Sequence, residues 1–309
     1  MESKSEVFEF LVTDEYDGMR IDKLISELID SLSRTYIKKL IDDKKVSCNG
    51  KVVKASFHVS ENDKIVMEIP PVEIPQILPQ DIPLDIIYED NDVVVVNKPK
   101  DMVVHPAAGH YKDTLVNAIM YHCQDNLSGI NGVMRPGIVH RIDKDTTGSV
   151  IICKNDNAHQ SIAEQLKEHS INRVYHAICY GIIKEDEGDV TAPIGRSAND
   201  RKKMAVVPGG KYASTHYRVL KRFPEDGFTY IECKLQTGRT HQIRVHMSHI
   251  GHPLLGDEVY ASGRHSKFKT NGQCLHAKTL GFIHPVSGEY IETDAPLPEY
   301  FNHLLNVLK

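Results

Sequence analysis

A proline-rich stretch divides this chain into a short N-terminal part and a long C-terminal part. Five prolines fall within residues 70–83, at positions 70, 71, 75, 79 and 83. Because proline lacks a backbone N–H and has a fixed φ, this density excludes a regular helix and favours an extended, polyproline-like spacer. We therefore predict a small domain over residues 1–70, a linker over residues 71–83 and a larger domain over residues 84–309.

Composition excludes several classes of protein. The chain has 309 residues, of which 40% are hydrophobic and 26% charged, so it has the make-up of a globular protein rather than a disordered or collagen-like one. No apolar run reaches the roughly 18 residues that span a bilayer. Glutamates at positions 2, 6 and 9 stand where a signal peptide would be basic and then apolar. We therefore expect a cytoplasmic protein.

The cysteines give no sign of a disulfide framework. All six are spaced singly, without a CxxC pair. Neither a disulfide-stabilised fold nor a cysteine zinc site is expected, and we interpret them as core thiols.

Periodicity in residues 1–70 predicts two helices and several short strands. Apolar residues recur at helical spacing over residues 21–28, and a second helix is predicted to begin after Ser33, whose hydroxyl suits an N-cap. Asn49 and Gly50 form a strong hairpin turn signal, and residues 64–69 are typical of a further strand. The small domain is therefore predicted to be α/β.

The second predicted helix carries cations. Arg34, Lys38 and Lys45 are predicted to fall on one side of it, where they can contact RNA phosphates, although a solvated helix face has the same pattern. The residues RIDKL at 20–24, LSR at 32–34 and VSCNGK at 46–51 resemble the small S4-type RNA-binding module, over about residues 15–70. The resemblance implies that this domain binds RNA, with Arg34 and Lys38 among its contacts.

In residues 84–309, predicted strands outnumber predicted helices. Residues 92–97 form a continuous β-branched run, which is typical of a strand buried on both faces. Further strands are predicted at residues 149–153, 174–180, 215–220 and 228–235, and helices at residues 155–169 and 240–249. Because the two kinds of element do not strictly alternate, we predict an α+β fold with a mixed, largely antiparallel sheet and helices packed on it.

One polar segment stands directly before a predicted core strand. Residues 137–148 contain five charged or titratable residues within a dozen, and a loop of this kind can mount reactive groups on a rigid frame. The alternative is an ordinary charged turn in which Asp143 or Asp145 caps backbone amides.

Several ordered motifs identify a family. The segment HRIDKDTTG at residues 140–148 strongly resembles the signature of the ribosomal pseudouridine synthases of the RluA/RluD family, with isoleucine at 142 in place of the usual leucine. The supporting motifs are NKP at 97–99, VHP at 104–106, YHA at 175–177, TGRTHQIRVH at 237–246, GHPLLGD at 251–257 with Tyr260, and LHA at 275–277. The S4-like N-terminal part, the proline-rich linker and the residues DKDTTG at 143–148 most resemble the D branch of the large-subunit rRNA synthases. The resemblance therefore implies a pseudouridine synthase fold and an enzyme that isomerises uridines, with 23S rRNA as the expected substrate.

The resemblance also implies that Asp143 is the catalytic aspartate. Isomerisation of uridine breaks the N1–C1′ bond, turns the uracil and joins C5 to C1′. An ionised carboxylate can act at C6, at C1′ or as a base at C2′, and the sequence leaves all three open. A carboxylate in a water-poor pocket needs a cation beside it to stay charged, and the resemblance implies Arg244, although a pair across the surface of its helix is the alternative.

Further positions follow from the same resemblance. Tyr175 is implied to pack on the target base, where its hydroxyl can take the C5 proton, and a plain core aromatic is the alternative. Arg141 is implied to enter the RNA stack in place of a base that is flipped out, the alternative being a phosphate contact or a solvent-facing charge. We group His140 and Thr147 with Arg141 as substrate-binding residues that orient the loop.

A local excess of positive charge is the strongest sequence evidence for a nucleic-acid surface. The whole chain has a formal charge of −5, yet residues 195–222 contain eight lysines and arginines against one aspartate. Around the turn formed by PGG at 208–210, this segment is predicted to be a basic hairpin or loop that grips RNA, with Arg201, Lys202 and Lys203 as contacts. A solvated charged surface is the alternative.

No cofactor or metal is expected. His241, His246, His249 and His252 crowd together, but their spacing is not HExxH, so we interpret them as helix-surface and core histidines. The sequence has neither a GxxxxGK[ST] nor a GxGxxG loop, and the isomerisation consumes no energy and transfers no electrons. RNA is the expected partner, and the protein is expected to be a monomer with no membrane contact. A noncatalytic RNA-binding protein and a hydrolase with an aspartate nucleophile are the competing hypotheses.

Overall fold

The computed structural model describes residues 5–70, 77–106, 111–124, 126–132, 135–200 and 203–309. The chain divides into two compact units, Met1–Pro75 and Gln76–Lys309. Within the described ranges, the helices are too short or too polar to cross a bilayer.

The N-terminal unit is a four-stranded antiparallel sheet with two helices. In chain order its elements are β1 (Glu6–Leu11), α1 (Ile21–Leu28), α2 (Arg34–Asp42), β2 (Val46–Cys48), β3 (Lys51–Val52) and β4 (Lys64–Ile69). The strands lie in the order β1-β4-β2-β3. Apolar faces of both helices bury Ile21, Leu24, Ile37 and Leu40 in one core, as their spacing predicts.

Local signals in this unit have their expected geometry. Ser33 is the N-cap of α2, and its Oγ accepts a hydrogen bond from the backbone N of Tyr36 at 3.3 Å. Asn49 and Gly50 connect β2 to β3 with φ values of 49° and 72°, as a two-residue hairpin turn requires. Both predictions are confirmed.

The predicted row of three cations on α2 is wrong. The helix ends at Asp42, and the chain turns at Lys44, whose φ is 61°. Lys45 therefore lies beyond the helix and pairs with Glu68 of β4 at 2.9 Å. Arg34 pairs with Asp22 of α1 at 3.0 Å. Lys38 is exposed and has no ion pair within the ranges that the structure describes, whereas the other two cations each have an acidic neighbour.

The C-terminal unit contains the remaining strands and helices. They are β5 (Ile86–Glu89), β6 (Val93–Lys98), α3 (Leu115–Cys123), β7 (Thr147–Cys153), α4 (Asp156–Lys167), β8 (Asn172–Tyr180), β9 (Glu187–Thr191), β10 (Ile194–Arg196), β11 (Met204–Val206), β12 (Ser214–Phe223), β13 (Phe228–Leu235), α5 (Gln242–His249), β14 (Leu275–Ile283), β15 (Tyr290–Asp294) and α6 (Glu299–Val307).

A nine-stranded sheet organises this unit. Eight strands lie in the order β5-β6-β7-β14-β8-β13-β12-β9, and β15 pairs with β14. The pairing of β7 with β14 is parallel, whereas the other described pairs are antiparallel. The prediction of an α+β fold with a mixed, largely antiparallel sheet is confirmed.

Strand β6 packs against an apolar cluster on each face of the sheet. Val94 and Val96 point into one apolar cluster, while Val93 and Val95 point into another on the opposite face, which includes Ile162 of α4. Burial on both faces explains why this strand reads as an uninterrupted β-branched run. A rigid β6–β7 pair then supports the polar loop that enters β7.

The described end of the proline-rich segment is attached to the C-terminal unit. Residues 77–83 form no helix or strand, yet Ile77 is buried in its core. The side chain of Asn117 donates to the carbonyl oxygen of Leu78 at 2.8 Å, and the backbone N of Gln80 donates to the carbonyl of Asn117 at 3.0 Å. This part of the segment is therefore a strap across α3 rather than a free spacer.

The basic segment is divided among several elements. Strands β10 and β11 form a hairpin, whereas the PGG turn follows β11 instead of joining the pair. Farther along, Arg218 and Arg222 lie on β12 and pair with Glu232 at 3.1 Å and Asp186 at 2.7 Å. A hairpin is therefore present at β10–β11, but it is not centred on the PGG turn and does not contain the whole of residues 195–222, because Arg218 and Arg222 lie on β12. The predicted contacts Arg201 and Lys202 lie outside the described residues.

Candidate active site

An open pocket of about 500 Å³ lies where the polar loop, β8 and α5 meet in the C-terminal unit. Its lining includes both charged and aromatic side chains: Arg141, Asp143, Arg173, Tyr175, His241 and Arg244. Asp143 is its one carboxylate among the residues that the structure describes. The sheet therefore gathers side chains that are far apart in sequence around a single acid.

Asp143 and Arg244 form a direct ion pair. Nη1 of Arg244 donates to Oδ2 of Asp143 at 2.8 Å, across 101 positions of sequence. The Asp143 side chain keeps 20% of its exposure, whereas the Arg244 side chain keeps 7%. The structure thus brings together the two residues that the family resemblance pairs. Arg244 faces the pocket from α5 instead of pairing along the helix surface.

A second carboxylate, which sequence reasoning missed, orients this arginine. Asp257 is fully buried, and its two oxygens accept from Nε and Nη2 of Arg244 at 2.7 and 2.9 Å. Backbone N–H groups of Val259 and Tyr260 also donate to Oδ1, both at 3.0 Å. Such a fork geometry fixes the plane of the guanidinium. Asp257 lies in the GHPLLGD motif, which was the available signal.

The charge of Arg244 is therefore secure despite its burial. Desolvation alone would lower its pKa, but the hydrogen bonds and charges of Asp257 and Asp143 outweigh that effect and raise the pKa. The ring of Tyr260 lies 5.1 Å from the guanidinium carbon, within cation–π distance. Arg244 thus presents a fixed positive charge to Asp143.

Tyr175 lies on β8 with its side chain against the pocket. The residue is 8% exposed and belongs to the main core cluster. Burial raises the pKa of Tyr175, and the charge of Arg173 partly opposes this shift. A neutral phenol ring at the pocket wall fits stacking on a base, while its position also satisfies the core-aromatic interpretation.

His140 and Thr147 hold the loop from inside. The Nε2 atom of His140 accepts from the backbone N of Ile151 at 3.0 Å, and burial lowers the pKa of His140 to about 3. Thr147 is 3% exposed, and its hydroxyl donates to Nδ1 of His276, whose Nε2 donates to the carbonyl of Ala295. Thr147 is therefore an internal anchor and is not among the described lining residues of the pocket, so its predicted place among the substrate contacts stays a prediction. Its predicted loop-orienting part fits the geometry.

The last residue of the HRIDKDTTG motif, Gly148, lies where only a glycine fits. Its φ is +108°, and a Cβ there would lie 2.3 Å from the carbonyl oxygen of Ala277. This close approach occurs where β7 and β14 run parallel. Only glycine allows the loop to enter the sheet at this point.

Lys98 connects two loops beneath the site, a role that sequence reasoning also missed. It is 0% exposed, and its Nζ donates to the carbonyl oxygens of Pro99, Met102 and Lys144 at 2.7, 2.8 and 2.9 Å. Burial lowers its pKa to about 7, against the charges of Asp145, Asp143 and Asp101. Because Lys144 follows Asp143, Lys98 fixes the backbone that carries the carboxylate.

Arg141 stands at the outer edge of the pocket. It is exposed, and Nη1 donates to Nε2 of His105 at 3.1 Å. Burial lowers the pKa of His105 to about 4, with a further contribution from Arg141, so the imidazole is neutral and can accept this bond. The guanidinium is accordingly supported by protein while it remains open to a ligand.

His241 is part of the site, contrary to its interpretation as an ordinary helix-surface or core histidine. It is the N-cap of α5 in a left-handed conformation, and its Nε2 lies 3.7 Å from Oδ1 of Asp143. Its Nδ1 hydrogen-bonds with the hydroxyl of Tyr260 at 2.9 Å. By contrast, His246 bonds inside the fold to Thr215 and Ala192. Within the described ranges, the possible metal-ligand clusters include neither histidine.

The other predicted contacts lie away from this pocket. Arg34 and Lys38 belong to the N-terminal unit, and Lys203 precedes β11 in the β10–β11 hairpin. None of these three is among the described pocket residues.

The sequence matches two known protein families and several full-length relatives. The RNA pseudouridylate synthase family matches residues 92–249, and the S4 domain family matches residues 19–65. The chain is 50% identical over 297 residues to an uncharacterized RNA pseudouridine synthase, YlyB, of Bacillus subtilis, covering 96% of each. It is 48% identical over 307 residues to ribosomal large subunit pseudouridine synthase D of Zymomonas mobilis, again covering 96% of each.

A solved structure shows the same likeness. Human RNA pseudouridylate synthase domain containing 1 superposes with a TM-score of 0.58 at 27% identity, covering 71% of this chain and 85% of the human one.

Proposed function

Because this chain belongs to the RNA pseudouridylate synthase family and contains an S4 domain, we propose that it isomerises specific uridines of 23S rRNA, with Asp143 as the catalytic carboxylate and without a cofactor. Membership of this family shows that the protein is an RNA pseudouridine synthase and that its substrate is RNA. Both resemblances seen in the sequence are thereby confirmed.

The placement of Asp143 carries the proposal. Pseudouridine formation breaks N1–C1′, forms C5–C1′, removes the proton from C5 and leaves one on N1, so atoms and electrons balance without a co-reactant. The reaction needs a group that attacks C6 of the uracil, attacks C1′ of the ribose or removes a proton from C2′. Asp143 is the acid that lines the described pocket, and Nη1 of Arg244 donates to its Oδ2 at 2.8 Å.

The neighbours divide the remaining tasks. Tyr175 provides a ring on which the uracil packs. Asp257 fixes the orientation of the Arg244 guanidinium, which donates to Asp143. Arg141, exposed beside the pocket, enters the RNA stack where the target base leaves it. His140 and Thr147 fix the backbone between Arg141 and the sheet.

The assignment to 23S rRNA rests on the relatives named large subunit synthase D. We propose that residues 1–70 dock the RNA, with Arg34 and Lys38 among the contacts, that residues 71–83 connect the parts and that residues 84–309 carry out the reaction. Arg201, Lys202 and Lys203 would add backbone contacts from the second domain. The expected species is a cytoplasmic monomer.

The test is pseudouridine mapping on RNA that lacks the modification. Purified protein is incubated with 23S rRNA, with large-subunit precursors and with tRNA, with and without EDTA and with no added cofactor. We expect new pseudouridine at specific positions of 23S rRNA or its precursor, in amounts unaffected by EDTA. Modification confined to tRNA would refute the substrate assignment. Binding without modification of any RNA would favour the noncatalytic alternative, and release of phosphate would favour a hydrolase.

A further inference from the structure

A second arginine in the pocket is buried without the partners that a buried cation needs. Arg173 is 7% exposed and lines the pocket from β8. Its Nε and Nη2 atoms are buried and have no hydrogen-bond partner in the described part of the chain. Buried polar groups in native proteins nearly always have partners, so an unsatisfied guanidinium beside an active site points to a ligand.

The electrostatic surroundings of Arg173 differ from those of Arg244. Arg244 has two carboxylates within 2.8 Å. For Arg173, burial lowers the pKa, and the one group that opposes this shift is the phenol of Tyr175. The carboxylate in the described lining, Asp143, already binds Arg244. The protein therefore leaves a positive charge uncompensated at this end of the pocket.

The chain also keeps space for this guanidinium. A Cβ on residue 238 would lie 2.5 Å from Nη1 of Arg173, so Gly238 is the residue that lets the arginine lie against the TGRTHQIRVH motif.

The spacing along β8 suits one nucleotide. Arg173 and Tyr175 are two positions apart on a strand, so they share a face and stand about 7 Å from each other. If the uracil packs on Tyr175, an oxygen of the same nucleotide falls within reach of Arg173. A phosphodiester oxygen is favoured over a uracil carbonyl, because an anion compensates the buried charge.

We propose that Arg173 is a substrate-binding residue whose guanidinium donates hydrogen bonds to an oxygen of the target nucleotide, its phosphodiester in the first instance. This proposal rests on the proposed function, because it takes the target to be a uridine held on Tyr175. It supplies a ligand for an arginine that lines the pocket and whose Nε and Nη2 atoms have no hydrogen-bond partner among the described residues.

The first test compares Arg173→Met and Arg173→Lys with wild type. For Arg173→Met we expect kcat/KM for pseudouridine formation to fall by about 10- to 100-fold, as for loss of a charged hydrogen bond, with Arg173→Lys in between. The melting temperature should stay constant or rise, since the substitution removes an unpaired buried charge. Wild-type kcat/KM in Arg173→Met, or a lowered melting temperature with unchanged activity per folded molecule, would overturn the proposal in favour of a structural role.

Binding separates this proposal from the proposed function. RNA affinity is measured with Asp143→Asn and with Asp143→Asn/Arg173→Met, so turnover plays no part. A loss of affinity of about 10-fold or more in the double variant supports the Arg173 contact even if the wild type modified no tested RNA. Equal affinities would overturn the contact while leaving the enzymatic activity untouched.

Modified RNAs identify the acceptor. A methylphosphonate at the target linkage should weaken reaction with the wild type and have little further effect on Arg173→Met, because both changes remove the same interaction. If that loss is instead equal in both proteins, but replacing a uracil carbonyl oxygen by sulfur affects the wild type alone, the acceptor is the base. Additive losses in both experiments would overturn the proposal.

Discussion

Replacing Asp257 by asparagine tests whether this buried residue holds the catalytic pair together. Asparagine has the same shape, and its oxygen can keep the two backbone N–H donors that Oδ1 accepts. Its NH₂ group would then face Nε of Arg244, which now donates to Oδ2 at 2.7 Å. The substitution thus removes a negative charge and replaces one hydrogen bond by a contact between two donors.

The expected loss of stability follows from the burial of the pair. Breaking a buried ion pair by neutralising one partner costs about 3–5 kcal/mol. For a unit of roughly 230 residues, each kcal/mol lowers the melting temperature by about 2 °C, so we expect a decrease of about 6–10 °C. Because Arg244 is no longer aligned, kcat/KM should also fall by about 10- to 100-fold.

Thermal unfolding by circular dichroism and release of tritium from [5-³H]uridine-labelled RNA measure the two effects. Asp186→Asn is the matched control, since Asp186 pairs with Arg222 at 2.7 Å but its side chain is 88% exposed. An exposed pair contributes at most about 1 kcal/mol, so the control should melt within about 2 °C of wild type. The reasoning is refuted if Asp257→Asn behaves like this control in both measurements.

Three further predictions concern the supports of the site and the N-terminal unit. Lys98→Met leaves three carbonyl oxygens without their donor, so unfolding should become easier by roughly 3 kcal/mol or more and turnover should fall, as measured by denaturant titration and tritium release. Gly148→Ala forces a Cβ against the backbone of β14, and we expect a lower melting temperature by calorimetry. Burial tends to raise the pKa of Asp22, but hydrogen bonds from Arg20 and Arg34 lower it overall. Protection of the N-terminal unit in hydrogen exchange should therefore be greatest above about pH 4 and decline as the pH falls through the lowered pKa, and Asp22→Asn should reduce that decline.

Local patterns made much of the architecture predictable. The cap at Ser33 and the turn at Asn49-Gly50 depend on neighbours within three residues, so the sequence displays them directly. The β-branched run of β6 shows its burial because every position faces a core. The pairing of Asp143 with Arg244 came from the ordered family motifs, since no local rule connects positions 101 residues apart.

Other features depended on partners that the sequence does not display. Lys98 and Asp257 are charged residues of ordinary appearance, and only the folded chain shows them buried with several hydrogen bonds each. The same limit explains the error at Lys45, which pairs with Glu68 of β4, and the pairing of Arg34 with Asp22 of α1. Charge counts along the chain do not reveal such tertiary pairing.

The most direct test of the central claim compares Asp143→Asn with wild type in single-turnover reactions on the uridine that mapping identifies. The two proteins should bind the RNA with similar affinity and melt at similar temperatures, while the rate of pseudouridine formation by the variant should fall by on the order of 10⁴-fold. A variant that binds the RNA and forms pseudouridine within about tenfold of the wild-type rate would contradict the assignment of Asp143 as the catalytic carboxylate.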